Sequence, residues 1–156
     1  MKNFYLSAPV LFTLACTFNA FATPSESITV SLPDPLTIES IDGTPLVTPV
    51  HSVHLSNENQ QLQLRYIDRF EDNADTAHPL QKSAALYIDI PSLLKKLTTP
   101  LPQNIVVSMP SINNAEQAKQ YLASPSVTIN TTSKKLNIKL LTLNQYLLSI
   151  TNKYKK

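Results

Sequence analysis

Leu36-Thr37-Ile38-Glu39-Ser40-Ile41-Asp42-Gly43-Thr44-Pro45-Leu46 is the stretch on which the fold turns. Leu36 and Ile38 alternate with polar Thr37 and Glu39, the period of a strand with one buried face. Asp42-Gly43 then reverses the chain. An Asp-Gly pair is the strongest short hairpin signal, because a type I′ turn needs positive φ at both central positions. Gly43 is the single glycine of the 156-residue chain, and it falls where a glycine is needed. The returning strand carries Pro45 and Pro49, neither of which has an N–H to donate. That strand must be irregular or lie at an edge.

Working outward, similar short runs lie between prolines. Ser27 to Leu32 alternates Ile28, Val30 and Leu32 before Pro33-Asp34-Pro35 breaks it. Val50 to Leu55 reads as a strand and 56–59 as a polar turn. Gln61 to Ile67 places Leu62, Leu64 and Tyr66 on one face. A polar, acidic loop is expected from Asp68 to His78. Ser83 to Ile90 follows as a strand carrying Leu86, Ile88 and Ile90. Pro91 to Leu97 reads as a short helix with Pro in its first turn, and Asn104 to Met109 as a strand. Asn113, with Glu116 three residues on, predicts a capping box for a helix that runs to about Ala123 and stops before Pro125. Ser126–Asn130 and Lys135–Leu141 form a second hairpin. Leu143, Tyr146, Leu147, Ile150 and Tyr154 mark the apolar stripe of a terminal helix. Sequential strands joined by short turns predict a mainly β fold with one or two helices. The expected arrangement is an antiparallel β-sandwich or a partly open barrel, forming one domain over residues 23–156.

The first 22 residues have a different character. Lys2 is followed by a short, mostly apolar run from Ala8 to Phe18. Ala20-Phe21-Ala22 then gives an A-x-A site before the polar Thr23-Pro24. That order defines a secretory signal peptide, cleaved after Ala22. Cys16, in Leu14-Ala15-Cys16, raises the alternative of a lipid anchor, but Thr13 and Leu14 fit that pattern poorly. Cleavage after Ala22 removes the one cysteine and with it any disulfide, thiolate nucleophile or thiolate metal ligand. No later run is apolar enough for a membrane helix, so a soluble periplasmic protein is expected.

A single glycine excludes the P-loop, the dinucleotide-binding turn and the nucleophile elbow, each of which needs several. No motif implies a cofactor. Charge is unevenly laid out. Residues 23–92 hold ten acidic side chains against Arg65, Arg69 and Lys82, whereas residues 93–156 hold nine lysines against Glu116. The two halves either interleave and neutralise each other or form a dipolar surface. The basic half contains no arginine, which argues against a nucleic-acid partner.

Three groups of residues qualify as candidate sites. Asp68, Glu71, Asp72 and Asp75 form the densest carboxylate cluster, readable as a solvated loop, a docking loop or an oxygen-rich Ca²⁺ site without EF-hand spacing. His51 and His54 are three apart, which on a strand points them to opposite faces. A shared zinc would require a bend, with His78 as a third ligand. A hydrolase triad of His78, Asp75 and a serine has nothing in the sequence to fix its geometry. Tyr66, Tyr87, Tyr121, Tyr146 and Tyr154 occupy apolar-patterned positions and read as packing residues with hydroxyls at the surface.

Residues 38–46, together with Leu62-Gln63-Leu64-Arg65-Tyr66-Ile67-Asp68-Arg69-Phe70-Glu71-Asp72-Asn73, resemble the YccT-like family of small exported bacterial proteins. That family shows a signal peptide, a strand ending in Asp-Gly and an L-x-L-R-Y-x-D-x-F-x-D segment. Ala115 to Val127 resembles its later helix-Pro-strand portion. The resemblance implies a periplasmic protein associated with restraint of curli (amyloid fibre) assembly, and it carries over no catalytic residue. The leading expectation is therefore a non-enzymatic periplasmic interaction module that presents a sheet edge or charged face to another exported protein, possible self-association included. The alternatives are an envelope-associated structural protein that self-associates through opposed charges and, third, a metal-dependent hydrolase.

Overall fold

A computed structural model describes residues 27–70, 80–97, 101–131 and 134–155. Its elements run β1 (Ser27–Ser31), β2 (Leu36–Ile41), β3 (Thr44–Val50), β4 (Ser52–Ser56), β5 (Gln61–Arg69), β6 (Leu80–Lys82), β7 (Leu86–Asp89), α1 (Ile90–Leu94), β8 (Asn104–Ser108), α2 (Ala115–Ala123), β9 (Ser126–Asn130), β10 (Lys135–Lys139) and α3 (Leu143–Tyr154). The strands form two sheets. The first is ordered β10-β9-β8-β1-β4, and the second β3-β2-β5-β6, with β7 also pairing β5. Among the described residues the fold is mainly β, sandwich-like and not a closed barrel, with three helices where one or two were expected.

One long hairpin builds both sheets. Its turn is Asp42-Gly43, with φ of 51° and 78°, between Ile41 and its partner Thr44. Its outgoing arm, β1 and β2, bends at Pro33-Asp34-Pro35, and its returning arm, β3 and β4, bends at His51. β1 pairs β4 in one sheet and β2 pairs β3 in the other. The arm from Thr44 to Ser56 is thus the outermost strand of each sheet. The register slips between Ile38, opposite Val50, and Ser40, opposite Pro45. Residues 46–49 are left over on β3 as a bulge, and Val47 stands fully exposed on it. The proline-bearing return strand is both irregular and at an edge.

The alternation seen in the sequence makes the core. Ile28, Val30, Ile105, Val107, Val127 and Ile129 from one sheet face Leu36, Ile38, Leu62, Leu64, Leu86 and Ile88 from the other, all buried. At about 25 cal/mol per Å² of apolar area, this interdigitation is the main stabilising term. A corner is closed where Tyr87 and Leu141 exchange backbone hydrogen bonds of 2.8 and 3.0 Å, bringing the end of β10 to β7.

Several elements depart from expectation. β1 and β8 pair in parallel, Val30 opposite Ile105, so the first sheet is mixed. β5 extends to Arg69, which puts Asp68 in a strand rather than a loop. β6 was not expected at all. The cap of α2 is Asn114, whose side chain accepts from Gln117 N at 2.9 Å, while Gln117 Oε1 accepts from Asn113 N at 2.8 Å. The capping pair is therefore shifted one residue from Asn113 and Glu116. α3 begins with a true capping box, Thr142 with Gln145. It lies on the outer face of the second sheet, where Tyr146 stacks on Tyr87 at 5.4 Å between ring centroids and Lys153 pairs with Asp89. Its stripe is only half used: Tyr146 is buried, whereas Leu143 and Leu147 are half exposed.

Candidate functional site

The first feature is the open arm. Leu32 N donates to His51 O at 2.7 Å, which fixes the hydrogen-bonded pairs of the β1–β4 ladder. The residues bonded to β1 are then Val53 and Leu55, and the peptide groups of Ser52 and His54 point away from it. β4 is the last strand of its sheet, so these groups form an unoccupied pairing edge among the described residues. β3, the continuation of the same arm, is blunted by Pro45, Pro49 and its bulge.

The sheets differ on their outer faces. On the second sheet Glu39 accepts from Arg65 and from Gln63 Nε2 (3.1 Å), and Arg65 Nη1 donates to Ser83 O (3.1 Å). The Arg65 guanidinium outweighs burial and holds the Glu39 carboxyl below its usual range. The first sheet is different. Its outward residues on β1, β4, β8 and β9 are Ser27, Thr29, Ser31, Ser52, His54, Ser56, Asn104, Val106, Ser108, Ser126, Thr128 and Asn130. None has a fixed charge; the charges of this face, Lys135 and Lys139, stand on the edge strand β10 opposite Asn130 and Ser126. They bond to one another: Ser31 Oγ to Ser52 Oγ at 3.3 Å, Asn130 Nδ2 to Ser108 Oγ at 2.9 Å, and Thr29 Oγ1 to His54 Nδ1 at 3.0 Å.

A shallow cleft of about 570 Å³ opens at one end of this face, lined by Ser27, Ile28, Thr29, His54, Leu101, Pro102, Gln103 and Asn104. No local pattern of residues announces it, because three separate segments meet there through the parallel β1–β8 pair.

Of the residues singled out in the sequence, Asp42 has the most elaborate setting. Its Oδ1 accepts from Gln60 N (2.7 Å) and Gln61 N (2.9 Å), and its Oδ2 from Asn59 Nδ2 (2.8 Å). Partial burial would raise its pKa, but the three hydrogen bonds win and lower it. Asp42 thus ties the hairpin turn to the β4–β5 connection. Gly43 has open space beside it, the nearest atom to an added Cβ being Gln61 Nε2 at 3.9 Å.

Asp68 accepts from the Tyr66 hydroxyl at 3.2 Å and from Arg69 N at 2.8 Å. Tyr66 is completely buried, so its hydroxyl is not at the surface as expected. Burial, with the Asp68 charge beside it, pushes the phenol well above its ordinary pKa. The Tyr121 phenol, raised by burial to about 12, donates to Ser126 O at 3.1 Å. Glu71, Asp72, Asp75 and His78 lie outside the described residues, as do Cys16, Ala20 and Ala22. His51 sits 3.2 Å from Asp34 Oδ1 and His54 bonds Thr29, so the two histidines have separate partners. Among the described residues no three of His, Cys, Asp and Glu gather to hold a metal. No described helix is long and apolar enough to cross a membrane.

A mainly β, two-sheet protein is what these features define. A profile of the DUF2057 family, described as an uncharacterized protein conserved in bacteria, matches residues 29–156. The chain belongs to that family. No curated protein and no solved structure gives a match.

Proposed function

We propose that the protein is an exported, non-enzymatic interaction module of the bacterial envelope, and that its contact with partners is strand pairing at the outer edge of β4. The reading rests on one observation: the peptide groups of Ser52 and His54 face outward on the last strand of their sheet. An extended segment adding there gains main-chain hydrogen bonds without disturbing the core. The bulge and prolines of β3 stop that pairing from continuing along the arm. A β-rich exported partner would thus be capped by a short, terminated contact rather than templated into a longer sheet. The resemblance to a family associated with restraint of curli assembly fits this mode of action.

The test is the assembly of a curli major subunit followed by dye fluorescence with the protein present. The parent should lengthen the lag phase. Ser52→Pro should abolish the effect with little loss of stability, because the N–H it removes donates to no neighbouring strand. Assembly that proceeds unchanged with the parent present would refute the proposal.

A further inference from the structure

The cleft beside Thr29 has a chemistry separate from the strand edge. Its polar groups are two hydroxyls (Ser27, Thr29), two carboxamides (Gln103, Asn104) and the imidazole of His54, and its apolar groups are Ile28, Leu101 and Pro102. Asn104 and Thr29 are register partners across the parallel β1–β8 pair, and Thr29 is opposite His54 across β1–β4. Three hydrogen-bonding side chains therefore stand in one row on adjacent strands, about 4.8 Å apart. Main-chain pairing fixes the row: Thr29 N donates to Gln103 O at 2.8 Å. The cleft continues into the charge-free hydroxyl and amide face formed by Ser31, Ser52, Ser108 and Thr128.

From this arrangement we infer that the cleft binds a neutral oligosaccharide. Carboxamides, hydroxyls and imidazole both donate and accept, as the vicinal hydroxyls of a sugar require. Leu101 and Pro102 supply an apolar wall for the C–H face of a pyranose ring. A phosphate or carboxylate ligand would find no fixed cation in the lining, and an ammonium ligand no carboxylate. The volume accommodates one or two sugar rings, and the uncharged face beyond gives a longer chain a surface to lie on.

Titration of the ¹⁵N-labelled protein with maltohexaose, cellohexaose and chitohexaose, each to about 10 mM, tests the inference by amide chemical shift. That range saturates a site with a Kd near 1 mM. At least one of the three should cause saturable shifts at Thr29, His54, Gln103 and Asn104, while the anionic hexagalacturonate causes none there. Asn104→Leu, at an exposed position, and Thr29→Val, at a half-buried one where valine keeps the shape, should each weaken binding at least about tenfold with unfolding midpoints little changed. Absence of saturable shifts with all three sugars, shifts confined to another surface, equal response to hexagalacturonate, or unweakened binding in both variants would each overturn it. Because Ser52→Pro leaves all the lining side chains in place, failure of the strand-pairing proposal and failure of this one are separable.

Discussion

Asp42 offers the sharpest quantitative test of the fold. Asp42→Asn keeps a side chain that tolerates φ of 51°. It also keeps one oxygen to accept from the Gln60 and Gln61 amides. What it loses is the bond from Asn59 Nδ2, where two donors would now face each other. One exposed hydrogen bond and a charge correspond to a loss of about 0.5–1 kcal/mol. Asp42→Ala removes all three bonds and places a Cβ-bearing residue without local compensation in the left-handed region. The amides it abandons lie near solvent and can hydrate, so they cost about 0.5 kcal/mol each rather than the full buried penalty. Adding about 1 kcal/mol for the backbone and about 0.5–1 kcal/mol for the Asn59 bond and charge gives a total of about 2.5–3 kcal/mol. The pH dependence carries its own sign. The folded carboxyl titrates below its ordinary value of about 3.9, so its contribution is complete above about pH 4 and is lost as pH falls through the lower, folded pKa. The gap between parent and Asp42→Asn should therefore be constant from neutral pH to about pH 4 and close below it. Urea unfolding followed by circular dichroism across that range measures both quantities. A gap that widens in acid, or an Asp42→Ala variant as stable as the parent, would refute the bridging role.

Further outcomes follow from the same structure. Gly43→Val should cost at least about 1 kcal/mol from the positive φ alone, since the space beside it is open; Gly43→Asn should recover most of the loss in thermal unfolding. Tyr146→Ala should cost about 3 kcal/mol, because a buried ring stacked on Tyr87 is lost, and hydrogen exchange along α3 should accelerate. Amino-terminal sequencing of protein released by osmotic shock should begin at Thr23; a lipidated Cys16 would overturn the cleavage assignment. If the acidic and basic halves form a dipolar surface, sedimentation should show weak self-association at about 0.01 M salt that fades at 1 M, over which the screening length falls from about 30 to 3 Å; association that does not change with salt would exclude that route.

Much of the fold was legible because its signals are local. Asp42-Gly43, the alternation in β1, β2 and β5, and the breaks at Pro33 and Pro125 each depend on a few adjacent residues. The rest depends on distance. Nothing near Val30 indicates that Ile105 will pair with it in parallel, and the cleft exists only because they do. Asn113 and Asn114 are chemically equal as caps of α2, and the choice falls to Gln117, whose N–H bonds Asn114 and whose side chain bonds back to Asn113. The stripe of α3 gave its helical period but not its docking phase. That phase is set by Tyr87, an outward residue of β7 that only the strand register identifies. Asp68 looked like part of a loop because its acidic neighbours hid a strand, and its bond to Tyr66 requires that strand.

The groups whose acidity departs from the ordinary clarify how the molecule divides its labour. Perturbed titratable groups that gather in a cleft mark sites of chemistry. Here each has a structural partner instead. Glu39 and Arg65 join β2 to β5, and Asp42 joins the hairpin turn to the β4–β5 connection. Asp89, whose carboxyl the Lys153 ammonium and Ser92 hold low against burial, caps α1 and anchors α3. Tyr66 and Tyr121 stand 5.8 Å apart between ring centroids and raise their own phenols by being buried. None of the six lines the cleft beside Thr29. These perturbed groups thus sit on the second sheet and at the joints, where they fix one element to another, whereas the first sheet holds its charges, Lys135 and Lys139, on its edge strand β10. The outer face of β1, β4, β8 and β9 carries hydroxyl and carboxamide side chains, the imidazole of His54 and the exposed Val106, next to the open edge of β4. Such a surface suits recognition through hydrogen bonds to groups that both donate and accept.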